Sequence, residues 1–410
     1  MIYIHKKESS EPEYEFVERK GLGHPDTLSD ALAEFLSVNY SNYTLKNFGA
    51  VLHHNFDKVG LLGGASFVKF GEGYLTKPIR VLINGRASTK FGDKNIPVED
   101  LLKSWASEFL LNKFRNLIKE SDLEIHYNLS TQSSPGKTED FKSTNTPRKF
   151  WFEPRNFDDL PEIKKLFSND TSLGVGYAPY SKLEKLVLDI EETLNSEIFK
   201  KDHQWIGSDI KIMGTRHDQQ FGVTLCIPQI ANYVHSVDEY KQNLEQAKQV
   251  IFKISQNIGI NNLELSCNTR DNLETKELYL TAIGSSIESG DEGLVGRGNR
   301  VNGIISPTRL MSMEGACGKN PVYHIGKIYY VAAHEISKKI FEKFGIANEV
   351  SLISQSGRDL LDPWKTFVSL YNSDSSDMNQ EEQVRIFVEN ELKNIPEITK
   401  DLLGHKLRLF

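Results

Sequence analysis

Three cysteines in 410 residues, Cys226, Cys267 and Cys317, are odd in number and far apart. They form neither a disulfide framework nor a zinc spacing, which makes a reducing, cytoplasmic setting the expectation. No apolar run approaches the ~20 residues of a membrane span, and the N-terminus MIYIHKKESSEPEYEFVERK lacks the apolar stretch of a signal peptide. Basic charge is not in excess: 49 lysines and arginines stand against 56 acids, a net charge of −7. Neither nucleic acid nor an anionic membrane is favoured as a partner. Dinucleotide-binding glycines are also missing, since Gly21-Leu-Gly, Gly174-Val-Gly and Gly296-Arg-Gly each lack the third glycine. Pro135-Gly136-Lys137-Thr138 is no phosphate-binding P-loop, because Thr131 stands where that motif has its first glycine. His334-Glu335 has no second histidine at zinc-protease spacing. No nucleophile stands beside a base in the manner of a Ser/His/Asp triad.

What the sequence does have is concentrated in GDEGLVGRGNRVNG, residues 290–303. Too poor in apolar groups for a core, this run combines glycines with acids and arginines. Gly296 and Gly298 let the backbone approach a ligand closely. Arg297 and Arg300 are forked donors for phosphate oxygens, and Asp291 and Glu292 are hard oxygen ligands of the kind magnesium takes. SMEGACGKNP, residues 312–321, follows with a second glycine-bearing loop and the cation Lys319. Near the N-terminus a strand-like Tyr14–Val17 runs into Gly21-Leu-Gly-His-Pro-Asp26 and then a helix from about Thr27. His24 and Asp26 therefore sit at a helix N-terminus, where backbone N–H groups favour anions. Simple capping explains the aspartate and proline, but not the glycines and the histidine beside Arg19 and Lys20.

Residues 1–12 read as a flexible arm and Ser130–Lys149, rich in Ser, Thr, Pro and Lys, as a mobile loop. A helix is expected over Val98–Lys119, a hairpin over 208–227 with Lys211 on its first strand, a capped helix from Ser236 and a long helix over His324–Phe344 closed by Gly345. Strands and helices mingle without strict alternation, so the fold class is α+β. His24, Asp26, Asp57, Asp170, Lys211, Asp291, Arg297, Arg300, Lys319 and Lys327 suit a nucleoside triphosphate with magnesium, acids holding the metal and cations clamping the phosphates.

The stretches VERKGLGHPDTLSD, VLHHNFDKVGLLGG, NDTSLGVGYAP, SDIKIMG, GDEGLVGRGNRVNGIISP and SMEGACGKNPVYHIGKIY, taken in order, resemble the archaeal-type S-adenosylmethionine synthetases (methionine adenosyltransferases). The resemblance covers residues 14 to about 330 and is weaker beyond. It implies three similar α/β subdomains about a pseudo-threefold axis, forming one unit over residues 13–410. It implies synthesis of S-adenosylmethionine from ATP and L-methionine, the sulfur attacking ribose C5′, with tripolyphosphate released and then cleaved to pyrophosphate and phosphate. Magnesium and potassium would be the cofactors, the assembly a homodimer or higher homo-oligomer with active sites at the interface. By the same resemblance His24 would stabilise the oxygen leaving C5′, and Asp26 and Asp291 would hold metal. Lys211, Arg297, Lys319 and Lys327 would line the polyphosphate, joined by Arg300, Gly296 and Gly298. Asp170 and Asp57 would face methionine or adenosine.

The chain departs from that family at Phe56-Asp57-Lys58, where Thr-Asp-Gln is usual, at Asn128–Ser134, where a glycine-rich segment is usual, and at Leu173 and Cys317. These departures leave open a different thioether substrate. A phosphohydrolase acting on ATP or tripolyphosphate is the other reading.

Overall fold

The computed structural model describes residues 1–8, 12–131, 150–372 and 378–410. All but the first two residues of the expected mobile loop 130–149 lie outside them. In chain order the elements that build the molecule are β1 (Ile2–Lys7), β2 (Tyr14–Lys20), α1 (Pro25–Phe48), β3 (Gly60–Leu62), β4 (Ile79–Ala87), α2 (Val98–Lys113) and β5 (Leu123–Ser130). β6 (Leu173–Ala178), α3 (Lys182–Asn195), β7 (Lys211–His217), β8 (Gln220–Cys226), α4 (Val237–Asn257) and β9 (Leu263–Cys267) follow. The last part holds β10 (Gly293–Leu294), α5 (Ile325–Phe344), β11 (Asn348–Ile353), β12 (Lys365–Tyr371), α6 (Met378–Lys393) and α7 (Ile395–Leu403).

Three sheets share one plan, each around an antiparallel pair joined in sequence: β3/β4, β7/β8 and β11/β12. The second strand of each pair has a parallel neighbour, β5, β9 and β1 respectively. The first strand has an antiparallel neighbour, β10, β2 and β6 respectively. The helix before each pair, α1, α3 or α5, packs on its own sheet's antiparallel edge strand. Three separate apolar cores result, one per sheet.

The connections interleave these units. β2 belongs to the β7/β8 sheet but runs into α1 of the β3/β4 sheet; β6 runs from the β11/β12 sheet into α3; β10 runs from the β3/β4 sheet into α5. At each crossing the chain leaves one unit for the next. Two of those crossings, residues 21–24 and 295–324, carry the glycine-rich motifs.

Several expectations need correction. Residues 1–12 are not an arm throughout: Ile2–Lys7 pairs in parallel with Lys365–Tyr371. Ile2 and Ile4 pack into the α5 core, and Arg385 donates to the Ile2 carbonyl. The partner strand lies at the far end of the chain, so nothing local reveals the pairing. Within residues 48–70 the chain extends at His54–Asn55, at β3 and at Ala65–Lys69. α2 stops at Lys113, short of Lys119. Ser236 accepts from Glu239 N, but the Glu239 carboxylate takes the His235 amide, leaving the capping box half formed.

Deleting residues 1–7 is expected to lower Tm by several degrees, since the burial of Ile2 alone is worth about 1.5–3 kcal/mol. Differential scanning calorimetry checks it; an unchanged Tm would mean that the strand is dispensable.

Candidate active site

His24 is the N-cap of α1, its Nδ1 accepting from Asp26 N at 3.2 Å. With Nδ1 an acceptor, the ring's proton sits on Nε2. Burial lowers the His24 pKa against the pull of Asp209 and Asp26, so the ring is a neutral N–H donor at the mouth of a helix. Asp26, buried in the first turn, accepts Leu294 N at 3.0 Å on Oδ1 and Lys20 Nζ at 2.9 Å on Oδ2. Lys20 also donates to the Arg297 carbonyl at 2.7 Å, holding the glycine loop to the helix. The Arg297 side chain is exposed, its Nε 3.9 Å from Asp26 Oδ1.

Two residues that sequence reasoning passed over complete this group. Asp209 is buried and accepts Ser286 N at 2.9 Å and Ser286 Oγ at 2.5 Å; the same hydroxyl reaches Asp291 Oδ2 at 3.1 Å. Asp209 thereby ties the β7 entry, two residues before Lys211, to the acidic start of the glycine loop. Lys211 is half-exposed and pairs with Glu18 at 3.2 Å.

Asp30, the other omission, lies one turn beyond Asp26 and accepts Gly296 N at 2.8 Å. Its second oxygen has no hydrogen-bond partner among the described residues, and burial raises its pKa to about 7 against the Gly296 and Gly298 amides and Arg300. The loop lies so close to α1 that a Cβ on Gly298 would fall 2.1 Å from Asp30 Oδ2, and one on Gly293 2.0 Å from the Pro25 carbonyl. Contact with backbone requires glycine at 293, and a side chain at 298 would displace the Asp30 carboxyl.

A second group surrounds a cavity of about 440 Å³ lined by His53, Asp57, Trp151, Asp170, Lys319 and His324 among others. None of His24, Asp26, Lys211, Asp291 or Arg297 lines it. Lys319 is buried against Glu314, with Asp57 Oδ2 at 3.9 Å; burial pushes its pKa down to about 8 against the attraction of Asp57. Burial works against ionised Asp57 too, but Lys58 and Lys319 outweigh it and hold that carboxyl below its ordinary value. Asp170 is exposed at the rim, its Oδ1 accepting Thr171 N.

Two expected phosphate contacts are otherwise employed. Arg300 is buried and donates to the carbonyls of Gly296, Gly298 and Ser312 at 2.6, 2.8 and 3.3 Å; its fork shapes the loop. Lys327 is fully buried and meets both oxygens of Glu34 at 2.8 and 2.7 Å, while Glu34 also accepts Gly318 N at 3.0 Å. The Gly296 amide and carbonyl, and the Gly298 carbonyl, are spent on Asp30 and Arg300. Of the departures from the family pattern, Phe56 and Cys317 are buried packing positions. Lys58, at the cavity, pairs with Asp57 at 2.8 Å.

The family model for S-adenosylmethionine synthetase (AdoMet synthetase) matches residues 2–406. The chain is 37% identical over 399 residues to the probable S-adenosylmethionine synthase of Aquifex aeolicus, covering 97% of this chain and 95% of that protein. It is 36% identical over 416 residues to the S-adenosylmethionine synthase of Thermoplasma acidophilum, covering 99% and 98%. Among solved structures, an unusual S-adenosylmethionine synthetase from Campylobacter jejuni shares the fold, with a TM-score of 0.59 at 14% identity over 94% of this chain and 90% of that one. Fold and sequence thus define an α+β adenosyl-transferring enzyme. The chain belongs to the S-adenosylmethionine synthetase family, and its enzyme class is methionine adenosyltransferase.

The Asp30 carboxyl gives a measurable signature. Its folded pKa of about 7 exceeds the ordinary 3.8, so the folded state holds the proton more tightly. Stability contributed by the protonated acid is full below about pH 4 and is lost as pH rises towards 7. Asp30→Asn keeps an acceptor for Gly296 N and cannot ionise. Its Tm is expected to fall less than that of the wild type between pH 5 and pH 8, as thermal melts across that range would read.

Proposed function

We propose that this chain forms S-adenosylmethionine by attack of the methionine sulfur on ribose C5′ of ATP, releasing tripolyphosphate, which it then cleaves to pyrophosphate and phosphate. The observation that carries the reading is the neutral His24 donor at the α1 N-terminus, set among Lys20, Lys211 and Arg297 and the acids Asp26, Asp209 and Asp291. The sulfur is a neutral nucleophile that needs no base. The barrier lies in charge developing on the leaving triphosphate, which preorganised donors stabilise without reorganising. His24 Nε2–H is aimed from the helix end at the oxygen leaving C5′. Arg297 and Lys211 stand ready for phosphate oxygens, and holding sulfur in line with C5′ supplies the rest.

Magnesium fits the residues present. No three His, Cys, Asp or Glu side chains among the described residues gather into a metal cluster, and magnesium is commonly held by one or two carboxylates plus substrate phosphates. Asp26 and Asp291 would hold it, and when bound it neutralises charge on the polyphosphate. Potassium remains an expectation of the family to which no residue here is assigned. None of His24, Asp26, Lys211, Asp291 or Arg297 lines the cavity of Asp57, Asp170 and Lys319. We take a second copy to complete the site, each chain's His24 group facing its partner's cavity in a cytoplasmic homodimer. Among the described residues no helix is long and apolar enough to cross a membrane.

Incubation with ATP, magnesium, potassium and methionine, read by mass spectrometry, is expected to yield the sulfonium with methionine-stimulated phosphate release. Phosphate without sulfonium would instead mark a phosphohydrolase or a different thioether substrate. His24→Ala is expected to slow sulfonium formation by about 10²–10³-fold, the usual cost of one such donor, and tripolyphosphate hydrolysis far less; equal losses would remove its assigned role. Lys319 is charged below its pKa of about 8 and neutral above it. Tripolyphosphate affinity should therefore weaken as pH rises from 7 to 9, and Lys319→Arg should abolish that limb in titration calorimetry.

A further inference from the structure

Three helices occupy equivalent places in the three units: α1, α3 and α5 each follow the edge strand of another sheet and pack on their own. Ser181 caps α3 in an ordinary capping box with Glu184. The other two are capped by histidine. His324, N-cap of α5, accepts from Gly326 N at 3.3 Å on Nδ1, as His24 accepts from Asp26 N at 3.2 Å. Histidine is not among the favoured N-caps, and Ser181 shows what this fold uses when capping is the whole task.

Because Nδ1 accepts, His324 carries its proton on Nε2. That nitrogen has no partner among the described residues, although the residue is only 9% exposed, and His324 lines the 440 Å³ cavity. Burial, reinforced by Lys319 and Lys327, holds the ring neutral, with a pKa of about 3. Lys319 adjoins the same helix end: a Cβ on Gly326 would fall 2.7 Å from its Nζ. The cavity's other charges pair among themselves, Lys58 with Asp57 and Lys319 with Glu314 and Asp57, and Lys319 stays close enough to the helix end to meet an anion there as well. A neutral imidazole is not drawn into those pairs, so its N–H stays available to a ligand. A buried N–H donor and a cation at a helix N-terminus are the elements of an oxyanion site.

We propose that His324 is a second catalytic histidine, whose Nε2–H donates to a phosphate oxygen of the polyphosphate in the cavity half of the site, as His24 donates in the other half. This rests on the reading of the chain as a synthetase that handles tripolyphosphate. His324→Asn isolates the role, since asparagine is a good N-cap and keeps an acceptor for Gly326 N.

The test is titration calorimetry of full-length wild type and His324→Asn with magnesium tripolyphosphate, and separately with methionine, alongside thermal melts. The expected result is a Kd for tripolyphosphate about tenfold weaker, equal to 1.4 kcal/mol, with methionine affinity and Tm unchanged. Unchanged tripolyphosphate affinity would overturn the proposal, as would a loss confined to methionine, whose carboxylate would then be the anion at this helix. Should the variant unfold, ¹⁵N spectra of the wild type decide: the His324 Nε2 signal must shift on adding tripolyphosphate, and a static signal overturns the proposal. Wild type that neither binds tripolyphosphate nor makes sulfonium would defeat the functional reading itself, a result separable from failure of His324 alone.

Discussion

Buried acids on a single helix constrain everything around them. Asp26, Asp30 and Glu34 follow one another at four-residue spacing along α1 and are all buried. A buried carboxylate without partners costs several kcal/mol, so α1 is tolerable only where donors reach it. Those donors are the amides of Leu294, Gly296 and Gly318 and the ammonium groups of Lys20 and Lys327. The first glycine loop can deliver its amides only because Gly293 and Gly298 carry no side chain to strike α1. Helix and loop each require the other, and the conformation of the loop bearing Arg297 is the solution to the helix's unpaired charge.

The interleaved topology explains why this happens at one place. Each crossing from edge strand to foreign helix leaves a loop between two units, and two such loops meet at α1. β10 lies on that helix by its backbone, so the residues after it emerge over the helix N-terminus. A site built at a junction of cores draws on several sheets without disturbing any of them. It also leaves a His24 group and a cavity group at different helix ends, because α1 and α5 start at different junctions.

What could be read from the sequence was what local pattern encodes. The glycine loop, the His24–Asp26 turn, the hairpin around Lys211 and the end of α5 at Gly345 all rest on spacing or turn chemistry. The family followed from motif order. Asp30 and Glu34 escaped because α1 is buried on nearly every side, and a four-residue spacing of acids does not say that they face loops rather than solvent. The internal partners of Arg300 and Lys327 were hidden for a related reason. Residue type says that a cation can bind phosphate, but only tertiary structure says whether carbonyls or a carboxylate have claimed it first. β1 escaped because its partner is separated from it by nearly the whole chain.

In the proposed reaction, a neutral histidine at the N-terminus of α1 answers a problem specific to sulfonium chemistry. As the C5′–oxygen bond breaks, negative charge grows on the leaving oxygen while positive charge grows on sulfur across the same carbon. A fixed cation beside C5′ would stabilise the first and oppose the second; two unit charges 4 Å apart interact by about 4 kcal/mol at an effective dielectric of 20. A neutral N–H donor aimed at the oxygen stabilises the leaving group while repelling the sulfonium far less. Burial of His24 at a helix terminus, among acids that would otherwise charge it, keeps the donor neutral. In that proposal the formal cations Arg297 and Lys211 would serve the phosphates, where charge is already negative before reaction and is not opposed by what forms at sulfur.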